Sequence, residues 1–414
     1  MGTRITRLAA LFAMVFLMLG SVSALDVDID VPEITLSPTG LFAPLTRFGV
    51  DELLNTELAD LAAEFETEIE TDPEIEKYSD QPLLAEGFAN AGAASAMTGL
   101  YRTQHGYKLF SAAYGLGVSF SMPGVDFLSE LNSASFIEDE GDIYAGLAMH
   151  PLNLSASVNL GFLVPGLRVN GKFGYYDMKK GTITDDISFN SLSVGAGASY
   201  QLIKPKSVPA GLIKWHGIVV ASGFYYQRNR AEMGFTPDEE GFESSTSITL
   251  GDFLTADQIV AVNAADIFSG GTGGYTSSSV LGLLTTTPEI NAKIESSTFT
   301  IPLEVSTAVR LLYFLEVMVG AGVDLSFGSG EVSLSAESDV DFDIAADFED
   351  DITVTPGSVD VVNKTTADPQ LIRPRLMTAL GLGLGPVRIE FPFIYYFDSE
   401  GNTFVTGITA GFML

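Results

Sequence analysis

Three aspartates alternate with apolar residues in the acidic stretch from 337 to 351. In an extended chain, Asp339, Asp341 and Asp343 share one face, because successive side chains of a strand point to opposite sides. Carboxylate oxygens placed in this way could hold Ca²⁺ or bridge Mg²⁺ to lipid headgroups. The stretch lacks the glycine and terminal glutamate of an EF-hand loop. The sequence therefore favours a solvated acidic loop and leaves a metal site as the weaker interpretation.

Hydrolytic chemistry finds little support in the chain. Its three histidines are His105, His150 and His216, and none has a serine two residues away, the spacing that places both on one strand face. The chain contains no cysteine, which excludes thiolate metal sites and cysteine nucleophiles. We therefore predict no catalytic residue, no cofactor and no enzymatic activity.

Other charged residues lie within long segments in which apolar residues alternate with polar or small ones. In residues 314–330, Leu315 to Phe327 supply one apolar row, whereas Glu316, Asp324 and small residues fill the other row. A transmembrane β-strand needs roughly 9–11 residues with lipid on one face and the lumen on the other. A carboxylate that faced lipid would cost on the order of 2–3 kcal/mol, so the acidic row is expected to face inward.

The same alternation, applied along the chain, predicts ten charged residues that line a lumen. They are Arg168, Lys172, Glu304, Arg310, Glu316, Asp324, Arg373, Arg375, Arg388 and Glu390. Opposite charges on consecutive strands suggest two pairs, Arg310 with Glu316 and Arg375 with Glu390. The set either selects solutes in a polar channel or forms a ladder of ion pairs that holds the interior together, and the ladder is slightly favoured.

Composition agrees with a membrane β-barrel. Hydrophobic residues make up 46% of the 414 residues although the net charge is −32, and no long apolar run follows the N-terminus. Apolar residues must therefore alternate with small and polar ones, as they do in barrel strands. A soluble β-sandwich would show a second face rich in lysine, glutamate and threonine, whereas here it is mostly glycine, alanine and serine. The negative charge also argues against nucleic acid as a partner.

The N-terminal part divides into three segments. Residues 1–24 have basic residues, an apolar core at 8–19 and a small-x-small site, which predicts a cleaved signal peptide. Residues 25–106 are predicted to be an extended and helical segment in the periplasm or in the barrel, with an amphipathic helix at 51–70. Within it, the alanine- and glycine-rich stretch 83–107 is either a plug or a short helix with a linker. The barrel then occupies 107–414.

Connections between the predicted strands differ in length. Short turns are predicted at 163–166, 383–386 and 397–403, and long connections at 123–142, 177–187, 229–297 and 328–371. Outer-membrane barrels have short periplasmic turns and longer extracellular loops. We therefore expect the short turns to face the periplasm and the long connections to face outward.

A family resemblance rests on residues 88–121 and on the final strand. The small-residue stretch followed by alternating strands resembles outer-membrane barrels of the FadL-like (long-chain fatty-acid transporter) type, whose hatch has an Asn-Pro-Ala element where this chain has Asn90, Ala91 and Gly92. It also resembles outer-membrane proteins of spirochaetes. The resemblance implies a barrel of about fourteen strands with an N-terminal hatch.

The sequence thus predicts an all-β membrane protein, a closed antiparallel β-barrel of about 12–14 strands in the bacterial outer membrane. The expected function is passive transport of small or lipophilic solutes, with membrane lipids as the surroundings. The alternative is a surface-exposed structural or adhesive protein that acts through its long acidic loops.

Overall fold

The computed structural model describes residues 25–37, 82–100, 109–123, 144–180, 187–207, 212–235, 244–269 and 272–414, together with single positions between 42 and 67. The predicted signal peptide and His105 lie outside the described residues. Within the described ranges, no helix combines the length and the apolarity that a membrane crossing requires.

Strands dominate the described part of the chain. The strands are β1 (Leu25–Asp30), β2 (Glu33–Leu36), β3 (Phe110–Met122), β4 (Gly146–Asn159), β5 (Leu167–Met178), β6 (Ile187–Ile203), β7 (Lys206–Ser207), β8 (Ile213–Phe235), β9 (Ser244–Thr249), β10 (Val280–Leu311), β11 (Leu315–Ile344), β12 (Ile352–Thr355), β13 (Gly357–Ala367), β14 (Ile372–Leu384), β15 (Val387–Phe397) and β16 (Asn402–Met413). The helices are α1 (Pro82–Ser95), α2 (Leu250–Phe253) and α3 (Ala256–Ser269).

Ten of these strands close into a ring. Their order is β11, β14, β15, β16, β3, β4, β5, β6, β8 and β10, and β10 pairs back onto β11. The register is antiparallel and continuous over long stretches, for example from Leu315 opposite Leu382 to Leu325 opposite Ile372. The predicted closed antiparallel sheet is therefore confirmed.

The ring has fewer strands than the 12–14 predicted, because three alternating segments do not add strands to it. Residues 146–149 belong to β4, the same strand as residues 154–159. Residues 330–344 continue β11 rather than starting a new strand. Residues 244–249 form β9, which pairs with the first residues of β10 at 280–286. The hydrophobic pattern of the sequence located these segments but could not show whether an alternating run turns back or continues.

The two faces of the ring strands are opposite in character. In β14, Leu376, Leu380 and Leu382 are exposed, whereas Arg375 and Ala379 are buried. β3 follows the same rule, since Ser111, Ser119 and Ser121 are buried there while Tyr114 and Leu116 are exposed. The ring therefore turns apolar side chains outward and polar or small ones inward, the reverse of a water-soluble barrel.

Connections at the two ends of the ring differ. Residues 160–166, 312–314 and 385–386 join strands at one end, where Gly166 and Gly385 adopt positive φ angles of 88° and 67° that suit a tight turn. The predicted short turn at 397–403 exists, but strand direction places it at the opposite end, with the long connections. Loop length alone could not assign this turn to an end.

Helix α1 lies inside the ring. Its residues from Ala89 to Ser95 are buried, and the following residues 96–100 are buried as well. The segment 82–100 forms hydrogen bonds with inward-facing residues on five strands of the ring. These residues are Ser119 of β3, His150 and Asn153 of β4, Lys172 of β5, Thr300 of β10 and Arg373 of β14. Strands on several sides of the ring can reach one helix only if that helix lies between them.

Small residues allow this helix to fit. A Cβ added at Gly92 would lie 2.5 Å from Oγ of Ser296, and one at Gly87 would lie 2.3 Å from the carbonyl oxygen of Ala145. The wall makes similar room, since a Cβ at Gly115 would lie 2.6 Å from Cα of Gly99. Glycine is required at such close approaches of one backbone to another.

The chain divides into two compact units. One comprises residues 81–233, 292–333 and 364–414 and contains the ring and α1; the other comprises 1–80, 234–291 and 334–363. These units are drawn differently from the predicted segments 25–106 and 107–414, since α1 belongs with the ring and two insertions between ring strands belong with the N-terminal part.

The second unit has a core of its own. Ile34 and Leu36 of β2 pack with Leu250 of α2, Val262 of α3 and Phe348. Strand β2 pairs antiparallel with β12, and β1 pairs with the first part of β13. The described positions between 52 and 67, within the predicted amphipathic helix, are helical. The insertions predicted as long loops are thus strands and helices around a hydrophobic core.

Close packing of α1 against the wall yields a first prediction. Gly115→Ala places a methyl group against the backbone of Gly99, and we expect a loss of about 1–3 kcal/mol in the free energy of unfolding. Gly171→Ala is the matched control, because its Cβ would meet only the carbonyl oxygen of Gly195, at 3.9 Å. Urea titration of the folded protein in lipid vesicles measures both. Equal stability of the two variants would contradict the position of α1.

Candidate functional site

The interior of the ring gathers the predicted lumen residues. All ten point inward: Arg168, Lys172, Glu316, Asp324, Arg373, Arg375, Arg388 and Glu390 are buried, and Glu304 and Arg310 are half-buried. The alternation of each strand is sufficient to place them, because each lies next to an apolar residue on the opposite face that is equally or more accessible to solvent.

One cluster is centred on Arg375. Its Nε donates to Oδ1 of Asp324 at 2.8 Å, and its Nη2 donates to Oε2 of Glu304 at 2.8 Å. Asp324 accepts a further bond from the hydroxyl of Tyr396 at 2.7 Å. A buried guanidinium is costly to desolvate unless it is paired, and these two carboxylates provide the pairing.

A neighbouring cluster joins the wall to helix α1. Arg373 donates from Nε and Nη2 to the two oxygens of Asp398, both at 2.8 Å, and from Nη1 to the backbone oxygen of Asn90 at 2.7 Å. Its guanidinium carbon also lies 4.5 Å from the centre of the Tyr396 ring. The Asn90 side chain donates to the hydroxyl of Tyr144 at 2.9 Å and accepts from the backbone amide of Gln370 at 2.9 Å.

A third cluster lies nearer the end with the short turns. Glu316 is buried, and its carboxylate forms ion pairs with the guanidinium groups of Arg310 and Arg388. Nε2 of His216 lies 3.6 Å from Oε1 of the same carboxylate. The predicted contact between Arg310 and Glu316 is present, and Arg388 adds to it.

The predicted pairing of Arg375 with Glu390 is wrong. Arg375 stands opposite Tyr396, whereas Glu390 stands opposite Gly381, six positions further along β14. At about 3.4 Å per residue the two charges lie on the order of 20 Å apart along the strand. The alternation of side chains predicts which face of a strand a residue occupies. The register between neighbouring strands decides how far along the axis of the ring that residue lies.

A polar centre around His150 escaped the sequence analysis. Its Nε2 lies 3.1 Å from Oγ of Ser95 on the helix side, and its Nδ1 lies 2.6 Å from Oγ of Ser191 and 2.9 Å from Nε2 of Gln227. The signal in the sequence was a single histidine among the small residues of an alternating strand. This side chain links α1 to strands β4, β6 and β8.

The weak metal candidate is found on the other unit. Asp339, Asp341 and Asp343 share the exposed face of β11 as predicted, while Val340 and Phe342 between them are buried. In the described residues, no group of three or more histidine, aspartate or glutamate side chains is arranged to hold a metal ion. The three carboxylates are exposed on this face of β11.

Among the described residues, inward-facing side chains at several levels along the ring are inaccessible to solvent, including Ser193, Thr298, Glu390 and Thr409. Ion pairs, hydrogen bonds and apolar contacts at these levels surround α1.

Residues 49–413 match the model of the Lsa36-like family. The chain belongs to the Lsa36-like family. The search of curated proteins found no match. Family membership thus covers the ring, helix α1 and most of the second unit.

Solved structures that resemble this Lsa36-like chain have low TM-scores. The translocator domain of the autotransporter NalP from Neisseria meningitidis is 9% identical, with a TM-score of 0.27, and the match covers 75% of this chain and 91% of that one. The toluene transporter TodX from P. putida is 9% identical, with a TM-score of 0.22 and coverage of 78% and 94%. Ail of Yersinia pestis is 8% identical, with a TM-score of 0.22 and coverage of 73% and 96%.

The monoaromatic hydrocarbon channel CymD is also among these matches, at 10% identity and a TM-score of 0.21. Similarity at this level does not define the fold, which is defined here by the strand pairing of the chain itself.

The charged framework yields a second prediction. Glu316→Gln removes the carboxylate that two guanidinium groups share, and we expect a loss of about 3–5 kcal/mol in the free energy of unfolding. Glu331→Gln is the control, because Glu331 pairs with Lys293 and Lys364, whose side chains are 31% and 52% exposed. Its loss should stay below about 1 kcal/mol. Urea titration in vesicles compares the two, and similar losses would refute a buried network.

Proposed function

We propose that the chain is an outer-membrane protein that lets small or lipophilic solutes through its ring when helix α1 is displaced. The observation that carries this proposal is a helix of small residues held inside the ring by hydrogen bonds to the wall. Its release would break these bonds and would separate Ala94, Met97 and Leu100 from apolar residues of the wall.

Membrane insertion is supported by the outer surface of the ring. The apolar part of the outward face runs from Leu167 to Tyr175 on β5 and from Leu192 to Leu202 on β6. At the same end of both strands, the polar residues Asp177 and Asn190 follow on these outward faces. These segments agree with the roughly 9–11 residues that a tilted transmembrane strand requires. Closure of the ring satisfies the second requirement, that every backbone group in the hydrocarbon be paired.

The resting state is closed. The side chain of Asn90, the carbonyl oxygens of Ala91, Ala93 and Ala96, and the hydroxyl of Ser95 all bond to the wall. Each such bond contributes about 1 kcal/mol net, so together they keep the released state rare. Passage is therefore gated rather than continuous.

Displacement of α1 would uncover a polar path. Its wall would be lined by Arg168, Lys172 and Arg373, by the carboxylates around Arg375, and by the Glu316 cluster. Fixed charges of both signs at several heights discriminate among charged solutes and pass small neutral ones more readily. We assign selectivity to this set on that basis.

A second candidate function rests on the other unit. Its insertions form a packed core, and its exposed face carries Glu337, Asp339, Asp341 and Asp343. A structured acidic surface suits contact with a basic partner. On this view the ring is an anchor, α1 fills it permanently, and the protein acts as a structural or adhesive surface protein.

Release of the helix yields the third prediction. Asn90→Ala removes bonds to Tyr144 and to the amide of Gln370, so the open state should become roughly tenfold more populated or more. Single-channel recording in planar bilayers should show rare openings in the wild type and frequent openings in the variant. Asn159→Ala is the control, because this side chain accepts a hydrogen bond from the backbone amide of Gly161 within its own turn.

A reversible tether separates the two candidate functions. The chain has no cysteine, and a Cβ at Gly92 would lie 2.9 Å from Cβ of Ser296. A disulfide between Gly92→Cys and Ser296→Cys needs a shift of about 1 Å to reach the usual Cβ separation. Oxidised protein should be silent and reduced protein should open and admit a small apolar fluorophore into vesicles. Silence of both forms, and of Asn90→Ala, would support the anchor instead.

A further inference from the structure

We propose that a basic groove on the outer wall of the ring binds the phosphate of a membrane-lipid headgroup. The groove has a volume of about 420 Å³ and lies over strands β5, β6 and β8. It is lined by Asp177, Met178, Lys179, Lys180, Ser188, Phe189, Asn190, Arg228, Arg230 and Glu232. We call these residues the basic groove, and the proposal rests on the membrane insertion proposed above.

Register brings its polar groups into rows. Asn190 of β6 stands opposite Asp177 on one side and Arg230 on the other, and Ser188 stands opposite Glu232. Arg228 precedes Arg230 by two positions on the same face of β8. The groove is thus built on paired strands, which fix the positions of its charged groups more firmly than a loop would.

The groove begins where the apolar belt ends. Tyr226 lies two residues before Arg228 on the same face of β8, nearer the middle of the ring. It packs on Phe299 with ring centroids 4.7 Å apart, and Phe224 packs on the ring of Phe299 at 5.3 Å. Aromatic side chains of this kind mark the interface between hydrocarbon and headgroups. The cations next to them lie at the depth of lipid phosphates.

Charge in the groove opposes that of the whole chain. Lys179, Lys180, Arg228 and Arg230 face Asp177 and Glu232 within the groove, and Glu295 on β10 adjoins Arg228, which still leaves an excess of positive charge. The net charge of the chain is −32. Because the Debye length is about 8 Å at physiological ionic strength, an anion in the groove interacts mainly with these nearby cations.

The arginines have capacity beyond their present partners. Arg228 donates from Nε to Oε1 of Glu295 at 2.9 Å, and Arg230 donates from Nε to Oε1 of Glu232 at 2.8 Å. Their side chains are 43% and 41% exposed. A guanidinium has five N–H donors, so each arginine retains donors for the oxygens of a phosphate.

The lysines complete the site. In the part of the chain that the structure describes, neither Lys179 nor Lys180 forms an ion pair, and both are exposed beside the arginines. An ammonium group binds phosphate as a point charge, whereas arginine adds paired hydrogen bonds. A lipid satisfies the groove and the belt together, since its phosphate meets the cations and its acyl chains cover the exposed Phe224 and Tyr175.

The test uses full-length protein in phosphate-free detergent micelles. Heat-modifiable gel migration first confirms the folded ring in every sample. Native mass spectrometry then measures binding of dilauroyl phosphatidic acid, of dilauroylglycerol, which lacks the phosphate, and of inorganic phosphate. We expect the phosphatidic acid to bind at least tenfold more tightly than the other two.

Two matched variants locate the site. Lys179→Gln with Lys180→Gln should weaken phosphatidic acid binding about tenfold. Lys204→Gln with Lys206→Gln makes the same change of charge on exposed lysines at the other end of the ring and should leave binding within twofold. A third variant, Arg230→Gln with Glu232→Gln, keeps net charge and should also weaken binding.

Several results would overturn the proposal. Equal losses in both lysine variants would show attraction without a site. Equal binding of the diacylglycerol would show that the phosphate plays no part, and equal binding of inorganic phosphate would assign the groove to a free anion. Failure of membrane insertion shows itself separately, as protein that is folded and monomeric without detergent.

Discussion

Pairing of β10 with β11 closes the sheet, and the rest of the molecule follows from that closure. A closed ring has no edge strand, so each backbone group on its strands can find a partner in the sheet even where water is absent. Closure also divides the side chains into two sets with different surroundings. Outward residues can be apolar without penalty in hydrocarbon, whereas inward residues must satisfy one another within a confined interior. A ring of ten strands is too narrow to leave that interior to water once a helix enters it.

The interior is therefore organised by ion pairs and hydrogen bonds as well as by an apolar cluster that includes Met97, Met318 and Met377. Arg373 divides its donors between Asp398 on the wall and the backbone of Asn90 on the helix. This couples the seat of α1 to the ion pairs of the ring, because the buried guanidinium loses a partner if the helix leaves. Buried ion pairs contribute little net stability compared with apolar packing, but an unpaired one is strongly destabilising. Such a framework fixes the helix in one position and one rotation, which small apolar residues alone would not do.

The sequence predicted which face of the sheet most strand residues occupy. It predicted few of their positions along the axis of the ring. Each of the ten charged residues lies on the inward face, because alternation is a local property of the strand. Arg375 pairs with Asp324 instead of Glu390 because register depends on turns and bulges elsewhere in the sheet. β11 extends to Ile344, so residues 330–344 do not form a separate strand of the ring. Nothing in the sequence of residues 330–344 marks where pairing with the ring ends. The sequence predicts the stretch after Pro82 as a plug or as a short helix with a linker, and only its hydrogen bonds to five strands place it inside. The partners of His150 could not be predicted from its own strand, since they come from α1, β6 and β8.

Distribution of charge connects the two proposals. Most inward cations are arginines paired with carboxylates, while much of the negative charge lies on exposed faces such as that of Glu337 to Asp343. An acidic surface is repelled by anionic headgroups, so it is disfavoured at the level of the lipid. The basic groove carries the opposite charge and stands directly beyond the aromatic residues of β8 and β10. On the proposals above, attraction at the groove holds the ring at one depth in the bilayer, with the Tyr226 and Phe299 pair at the boundary of the hydrocarbon.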